Sequence, residues 1–304
     1  MRVWKNVLFI IGFKKFYVTT LIILIFFFIK DSSKKEVIIS SRTPFNEEKK
    51  IYYEKFISDI PMYNHSHEYS NKIFWCWFQG FDKAPELYKA SFNSIKNNCK
   101  MHDIVIINQT NLNKYIRLPS FILEKFKNNI ISKTHFSDIV RSELLIKYGG
   151  TWIDASVLVT KYNSSVFYQD LFFFKTENSS IYAGSNWFIT SEKGSPVLRT
   201  TLDLLYEYWR KENYLCDYFI FHLLFNFAYK RYKNDYNKII NLTNIYPHYL
   251  QKELLNEFNQ TRYIYILRNS QIHKLTKKDP KNLTGLFFHH IVKEYETKKI
   301  TNLV

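Results

Sequence analysis

Residues 135–157, HFSDIVRSELLIKYGGTWIDASV, carry the strongest structural signal in the chain. Their first part has the apolar spacing of a helix, and Gly149 and Gly150 end it. The chain has only 7 glycines, so two in succession indicate a turn that requires positive φ. A short strand follows at once and has Asp154 at its carboxyl end. A helix, a tight turn and a strand in this order are typical of an α/β layer.

Strands and helices also alternate on both sides of this segment. The alternation favours a parallel α/β sheet, and such sheets bind ligands at the carboxyl ends of their strands. The predicted strands are 72–78, 103–108, 151–154 and 187–190. The predicted helices are 85–100, 119–127, 134–148, 196–211 and 217–230.

Composition excludes several classes of protein. The 27 Phe, 23 Tyr and 6 Trp are too many aromatic residues for a disordered chain. Cys76, Cys99 and Cys216 form no CxxC pair, which excludes a disulfide scaffold and a cysteine-rich zinc module. The net charge of +16 attracts anionic partners such as nucleotide diphosphates and acidic phospholipids. The lysines are scattered and no nucleic-acid-binding motif is found, so we do not expect nucleic acid as a partner.

The N-terminal region contains an apolar run, FYVTTLIILIFFFI, at residues 16–29. It is shorter than the roughly 20 residues that span a bilayer, and no signal-peptide cleavage site follows it. Flanking lysines favour a membrane anchor or an in-plane segment, and a buried core helix is the alternative. We therefore predict a membrane-associated segment at 1–30, a polar and irregular stem at 31–70, and a catalytic domain at 71–304.

Three charged residues surround the double glycine. Asp138 and Arg141 lie three positions apart and share one face of the predicted helix. Beside them, Asp154 has the chemistry to hold a divalent cation and the phosphates that the cation bridges. Spacing alone leaves another interpretation open, in which Asp138 and Arg141 form a surface ion pair and Asp154 caps the strand end.

The stretch SDIVRSELLIKYGGTWIDASV resembles the signature of the capsular polysaccharide synthesis glycosyltransferases. That family is related to the yeast-type initiating mannosyltransferases and to the glucosylating domains of large bacterial toxins. The resemblance extends over roughly residues 71–290 and implies an α/β fold of the GT-A nucleotide-diphospho-sugar transferase type, with a Rossmann-like sheet. In this chain an N-terminal apolar helix would precede that domain. The other stretches that resemble the family are KIFWCWFQGFDKAPEL at 72–87, NWFITSEKGSPVL at 186–198 and DYFIFHLLF at 217–225.

The resemblance implies a donor-binding role for several residues. Trp77 matches the aromatic residue that stacks on the donor base, and Trp75 is the alternative. Asp138 and Arg141 match residues that hydrogen-bond the donor sugar, with Arg141 near the diphosphate, and both are therefore predicted to be catalytic residues. Asp154 matches the first aspartate of the family's Asp-x-Asp metal motif.

The second aspartate of that motif is replaced here by Ser156. A serine hydroxyl is a poor ligand for Mg²⁺ or Mn²⁺. Either Asp154 holds the metal with help from elsewhere, for which His289 and His290 are the candidates, or metal dependence is weakened. Asp217, at the start of a predicted helix, either caps that helix or faces the acceptor as a catalytic carboxylate.

These implications predict a membrane-associated glycosyltransferase. It would transfer a hexose from a nucleotide-diphosphate sugar to a surface polysaccharide or a lipid-linked glycan, with retention and with a divalent cation, Mn²⁺ or Mg²⁺. The alternatives are a non-catalytic relative that binds a sugar nucleotide or glycan, which Ser156 suggests, and a phosphosugar transferase. The resemblance to capsule enzymes favours a bacterial source, which places the domain on the cytoplasmic face of the inner membrane; the alternative is a eukaryotic source with the domain in the Golgi lumen.

Overall fold

The computed structural model describes residues 44–177, 179, 181–236, 240–276 and 284–296. The membrane-associated segment predicted at 1–30 lies outside these residues, and so does its apolar helix. Within the described part of the chain, no helix combines the length and the apolar character that crossing a membrane requires.

Strands and helices occupy most of the described residues. The strands are β1 (Lys72–Cys76), β2 (Asp103–Ile107), β3 (Gly150–Ile153), β4 (Val157–Val159), β5 (Leu171–Lys175), β6 (Gly184–Ser191) and β7 (Ile272–Lys274). The α-helices are α1 (Glu47–Asp59), α2 (Glu86–Asn98), α3 (Leu112–Tyr115), α4 (Ser120–Lys127), α5 (Lys133–Tyr148), α6 (Pro196–Lys211), α7 (Ile220–Arg231), α8 (Tyr249–Glu253), α9 (Gln260–Asn269) and α10 (Phe287–Glu294). Each element predicted from the sequence is present, with its ends within three residues of the prediction.

A five-stranded sheet in the order β2-β1-β3-β6-β5 forms the centre of the fold. Strand β1 pairs in parallel with both β2 and β3, as expected. The sequence predicted no direction for the later strand β6, which runs antiparallel to both β3 and β5. Parallel neighbours need a crossover connection, usually a helix, and the described residues between β3 and β6 contain no α-helix. The fold is therefore mixed α/β.

Alternate side chains of the strands face two separate apolar clusters. On β1, Phe74 packs on one side of the sheet in the same cluster as Phe136 and Ile139 of α5. Ile73 and Trp75 point to the other side, where Phe92 of α2 packs against their cluster. The central sheet is thus covered by helices on both faces, which fixes the positions of its strand ends.

Part of the predicted stem is folded against this core. Residues 47–59 form helix α1 rather than an irregular segment, and its Tyr53 is 2% exposed. From α7, Arg231 donates hydrogen bonds to the carbonyl oxygens of Ile57 at 2.8 Å and Ile60 at 2.7 Å. The polar composition of 31–70 concealed this helix because only one of its residues is fully buried.

A second, two-stranded sheet joins distant parts of the chain. Strand β7 pairs antiparallel with β4, and Lys274 lies opposite Val157. The Leu275 N–H extends this pairing by donating to the Ser156 carbonyl at 2.8 Å. The β4–β7 ribbon therefore brings residues 272–275 beside the segment that follows β3.

Candidate active site

The double glycine allows β3 to begin directly against β1. Gly149 and Gly150 have φ of 66° and 94°, which confirms the predicted positive-φ turn. A Cβ atom on Gly150 would lie 2.4 Å from the carbonyl oxygen of Lys72, so only glycine fits. At the other end of β3, the Asp154 N–H donates to the Trp187 carbonyl of β6 at 2.9 Å. Both ends of this strand are therefore held by its neighbours.

Arg141 connects the two predicted carboxylates. Its guanidinium lies 3.0 Å from Asp138 Oδ1 through Nη1, and 3.2 Å from Asp154 Oδ1 through Nη2. Nη1 also donates to the Asn186 carbonyl at 2.8 Å, and the guanidinium lies over the Trp152 ring at 5.1 Å. The Arg141 side chain is only 3% exposed. The three residues thus form a buried network rather than a surface ion pair.

Asp138 is a buried carboxyl group with an unusual protonation equilibrium. Its Oδ1 accepts a hydrogen bond from Asn186 Nδ2 at 2.9 Å. Burial raises its pKa to about 7, with a further contribution from Asp154, although Arg141 opposes the shift. Near neutral pH this group can therefore donate or accept a hydrogen bond.

Asp154 is held ionised at the edge of the network. Its Oδ1 accepts from Trp152 Nε1 at 2.8 Å as well as from Arg141, and its Oδ2 accepts from Lys274 Nζ at 2.9 Å. Burial acts to raise its pKa, but Lys274 and Arg141 outweigh burial, so the net shift is downward. Asp154 remains 23% exposed, which makes it the more accessible of the two carboxylates.

Lys274 is a site residue that the sequence analysis missed. Its ammonium lies 2.7 Å from Ser156 Oγ and 2.9 Å from Asp154 Oδ2. It therefore sits between the first and third positions of the Asp-Ala-Ser segment. No local pattern identifies this lysine, because β7 follows Ser156 by more than a hundred residues and reaches it only through the β4–β7 ribbon.

The donor set at this segment does not fit a divalent cation. Both oxygens of Asp154 already accept hydrogen bonds from cationic or indole N–H groups, and Ser156 Oγ accepts from Lys274. A metal ion at this position would lie against the Lys274 ammonium and be repelled by it. The predicted Mg²⁺ or Mn²⁺ at Asp154 and Ser156 is thus opposed by the charge that is present.

The two histidines near the C-terminus, His289 and His290, make contacts with residues of their own region of the chain. His290 of α10 stacks on Phe258 with ring centroids 3.8 Å apart, and its Nε2 lies 3.5 Å from Glu294. His289 packs against Phe288. Among the described residues, neither histidine has a hydrogen bond or ion pair with Asp154 or Ser156. Stacking in the apolar cluster around α9 and α10 accounts for the position of the His290 ring.

The two tryptophans of the first predicted strand have different surroundings. Trp75 is fully buried between Phe81 and Phe92, so it has no free ring face for a donor base. Trp77 follows β1 and is only partly buried, with its ring 4.9 Å from that of Tyr88. Burial raises the pKa of Tyr88 to about 12, and the negative charge of Asp154 adds to this shift. Trp77, rather than Trp75, therefore borders the site.

The start of α7 borders the site on another side. The helix begins at Ile220, and Asp217 precedes it, with Oδ1 accepting from the Phe219 N–H at 2.6 Å. Asp217 thus closes a turn before the helix instead of capping it. Phe221 lies 5.8 Å from the Arg141 guanidinium. In the first turn of α7, burial lowers the pKa of His222 to about 4, and the Arg141 guanidinium adds to this shift.

A separate cluster of possible metal ligands lies at the other end of β3. His65, His67 and Glu192 each offer one ligand atom, all within 4.8 Å of one another. Glu192 follows β6, whose last residue pairs with Gly150 at the start of β3. At about 3.3 Å per residue, the length of β3 puts roughly 13 Å between this end and Asp154. Glu192 also accepts hydrogen bonds from the N–H groups of Ser66 and His67, which accounts for its burial.

Comparison with known proteins now identifies the family. Residues 26–292 match the family described as capsular polysaccharide synthesis protein. The chain belongs to this family. Membership confirms the resemblance inferred from the segment around the double glycine, and with it the expectation of an enzyme of the glycosyltransferase class.

Solved structures give more distant similarities. The glycosyltransferase PaToxG aligns with 17% identity and a TM-score of 0.41, over 62% of this chain and 77% of its own. A cysteine-to-serine double mutant of a transferase aligns with 12% identity and a TM-score of 0.33, over 71% of this chain and 96% of its own. No curated protein matches the chain.

Proposed function

We propose that this member of the capsular polysaccharide synthesis family transfers a hexose from a nucleotide-diphosphate sugar to a surface polysaccharide or a lipid-linked glycan. The observation that carries the proposal is the Asp138–Arg141–Asp154 network at the carboxyl end of β3, bordered by Lys274. It joins two carboxylates to an accessible cation at the sheet edge where α/β folds bind their ligands.

The donor would lie across the ends of two parallel strands. Trp77 follows β1 and Asp154 follows β3, and these strands are neighbours in the sheet. The partly exposed ring of Trp77 would stack on the base, next to Tyr88. The sugar would reach Asp138, whose pKa of about 7 lets it exchange hydrogen bonds with a hydroxyl group.

Arg141 would act as a positioning residue in this scheme. Its burial and its bonds to Asp138, Asp154 and the Asn186 carbonyl leave it poorly placed to contact a diphosphate, which was the role inferred from the family resemblance. Instead, it would hold the two carboxylates at a fixed spacing, which is the preorganisation that electrostatic catalysis requires.

Transfer with retention needs no covalent enzyme intermediate. The acceptor hydroxyl would attack the anomeric carbon on the face from which the diphosphate leaves. As the bond from carbon to the diphosphate oxygen breaks, the hydroxyl proton passes to that oxygen. Asp217 and the exposed rings of Tyr218 and Phe219, at the start of α7, would contact the acceptor glycan.

The test is sugar transfer and donor hydrolysis by the full chain with a panel of UDP- and GDP-sugars. We expect Asp154→Asn to reduce turnover by at least about 100-fold, because the site loses a preorganised charge. The matched control is Asp103→Asn, which removes an exposed carboxylate paired with Lys72 on the same sheet and should leave turnover unchanged. A folded Asp154→Asn protein that turns over at the wild-type rate would contradict the assignment.

The same panel separates the alternatives. A non-catalytic relative would bind a donor, seen as a thermal shift, without consuming it. A phosphosugar transferase would leave phosphate in the product, which mass spectrometry detects. Free nucleoside diphosphate together with a phosphate-free glycosidic product is the result that we expect.

A further inference from the structure

We propose that Lys274 takes the place of the divalent cation in this site, so that its ammonium binds the donor diphosphate and transfer needs no metal. The inference rests on the proposed function and concerns the same pocket. It follows from three observations: the position of the ammonium, the charge balance of the segment, and the backbone that holds it.

The ammonium occupies the position between the motif's two side chains. Lys274 Nζ lies 2.9 Å from Asp154 Oδ2 and 2.7 Å from Ser156 Oγ. These are the first and third positions of the segment that resembles an Asp-x-Asp motif, where a bound cation would bridge two carboxylates. The Lys274 side chain is 18% exposed, against 3% for Arg141, so Lys274 is the more accessible of the two cations bound to Asp154.

The replacement of the second aspartate agrees with a lysine at this position. Two carboxylates would neutralise one ammonium and leave excess negative charge facing the donor. With Ser156, the Lys274 ammonium meets one carboxylate and one neutral hydroxyl. Arg141 further offsets Asp154 from the buried side. The site therefore carries less negative charge than it would with a second aspartate at 156, which favours an approaching diphosphate.

The backbone places Lys274 without relying on a long, flexible side chain alone. Lys274 lies opposite Val157 in the β4–β7 ribbon, and the Leu275 N–H donates to the Ser156 carbonyl at 2.8 Å. This pairing fixes the backbone of Lys274 relative to Ser156 and Val157 on the opposite strand. An ammonium in a fixed place can bind a phosphate oxygen and stabilise the charge that grows on the leaving diphosphate.

The first experiment measures Mn²⁺ binding to the full chain by electron paramagnetic resonance. We expect Asp154→Asn to leave the amount of bound Mn²⁺ unchanged, because Lys274 excludes the ion. Any Mn²⁺ that does bind should be lost on His67→Ala, since His65, His67 and Glu192 form the other candidate cluster. The double variant with Ser156→Asp and Lys274→Ala should bind at least one additional Mn²⁺ ion. This additional site should be lost in the triple variant that also carries Asp154→Asn. Mn²⁺ bound by the wild type and released by Asp154→Asn would overturn the inference.

The second experiment tests contact with the diphosphate. We expect Lys274→Met to weaken UDP or GDP binding about tenfold or more, the usual effect of losing a hydrogen bond to a charged group. Binding of the corresponding nucleoside, which lacks phosphates, should stay within about twofold. If Lys274 only supported the fold, Lys274→Met would weaken the binding of both ligands equally, and that result would overturn the inference. Lys193→Met, which removes a surface lysine paired with Glu68 at 2.8 Å, is the matched control and should change neither affinity.

Turnover with and without EDTA separates this inference from the proposed function. Equal turnover in both conditions supports Lys274 as the cation. Turnover that EDTA abolishes and Mn²⁺ restores would leave a glycosyltransferase but overturn the role of Lys274. If no sugar nucleotide binds or reacts in any condition, the proposed function fails, and the Mn²⁺ measurements still decide whether Lys274 excludes a metal from Asp154.

Discussion

At the scale of single residues, one buried guanidinium organises the site. Arg141 contacts both Asp138 and Asp154, and these carboxylates differ in the direction of their pKa shifts. Burial dominates at Asp138, whereas a second cation, Lys274, lowers the pKa of Asp154. Removing one partner of a buried ion pair typically costs about 3–5 kcal/mol, because the remaining charge is left without compensation. We therefore expect removal of the Arg141 guanidinium to destabilise the fold.

Gly150 provides a test of how β3 is positioned. We expect Gly150→Ala to lower the free energy of unfolding by about 3 kcal/mol, since it adds strain at positive φ and a contact with rigid backbone. The control is Gly80→Ala, because Gly80 has φ of 91° but no atom lies within 4 Å of the new Cβ. Its loss of unfolding free energy should be smaller, since it reflects the positive φ alone. Urea unfolding of the three proteins measures both values. Equal losses in the two variants would mean that the close approach to Lys72 has no effect.

At the scale of elements, pairing between strands brings together residues that are far apart in the sequence. The parallel pairing of β1 with β3 brings together the segments that contain Trp77 and Asp154. The β4–β7 ribbon adds Lys274, and the start of α7 adds the segment around Asp217. Helix α1 docks against the opposite end of α7, where Arg231 binds its last turn. Residues of the predicted stem are therefore part of the folded domain.

The packing of α1 leads to a stability prediction. We expect Tyr53→Ala to reduce the free energy of unfolding by about 3–4 kcal/mol, because it leaves a cavity at a residue that is 2% exposed. On the same helix, Ile51 is 58% exposed, and Ile51→Ala should change stability by less than about 0.5 kcal/mol. Chemical denaturation of both variants tests the prediction. If Tyr53→Ala is as stable as the wild type, α1 is a detachable part of a stem.

At the scale of the whole molecule, we propose from charge and hydropathy that the chain associates with a membrane surface. The net charge of +16 would attract acidic phospholipids, and the apolar sequence of 16–29 would favour burial among lipid chains. A lipid-linked acceptor would be found at the same surface. The two features act differently: electrostatic attraction weakens with salt, whereas apolar burial does not.

Vesicle sedimentation tests this membrane association. The full chain should sediment with vesicles that contain anionic lipid and should stay bound at high salt. Ile23→Asp combined with Phe27→Asp should make binding salt-sensitive, because charges within 16–29 oppose burial in lipid. The control, Ile51→Asp with Met101→Asp, places the same charges at exposed apolar residues and should bind like the wild type. If the first pair has no effect, the apolar run does not contact lipid.

Much of the fold could be predicted because its signals are local. The apolar spacing of α5, the glycine pair and the strand after it all lie within about twenty residues, and each acts on its immediate neighbours. The direction of β6 could not be predicted, since an apolar strand has the same pattern in either direction. Helix α1 was missed because a mostly exposed helix carries little apolar periodicity.

The sequence by itself determined that Asp138 and Arg141 share a helix face and that Asp154 follows on the next strand, because one helix, one turn and one strand carry all three. Only the tertiary structure decided that they form one buried network and what surrounds it. It buried Arg141 beneath the sheet edge and brought Lys274 to Ser156 through strand pairing. A charge brought in by such pairing leaves no trace in local spacing, since the backbone hydrogen bonds that place it do not depend on which side chains the strands carry.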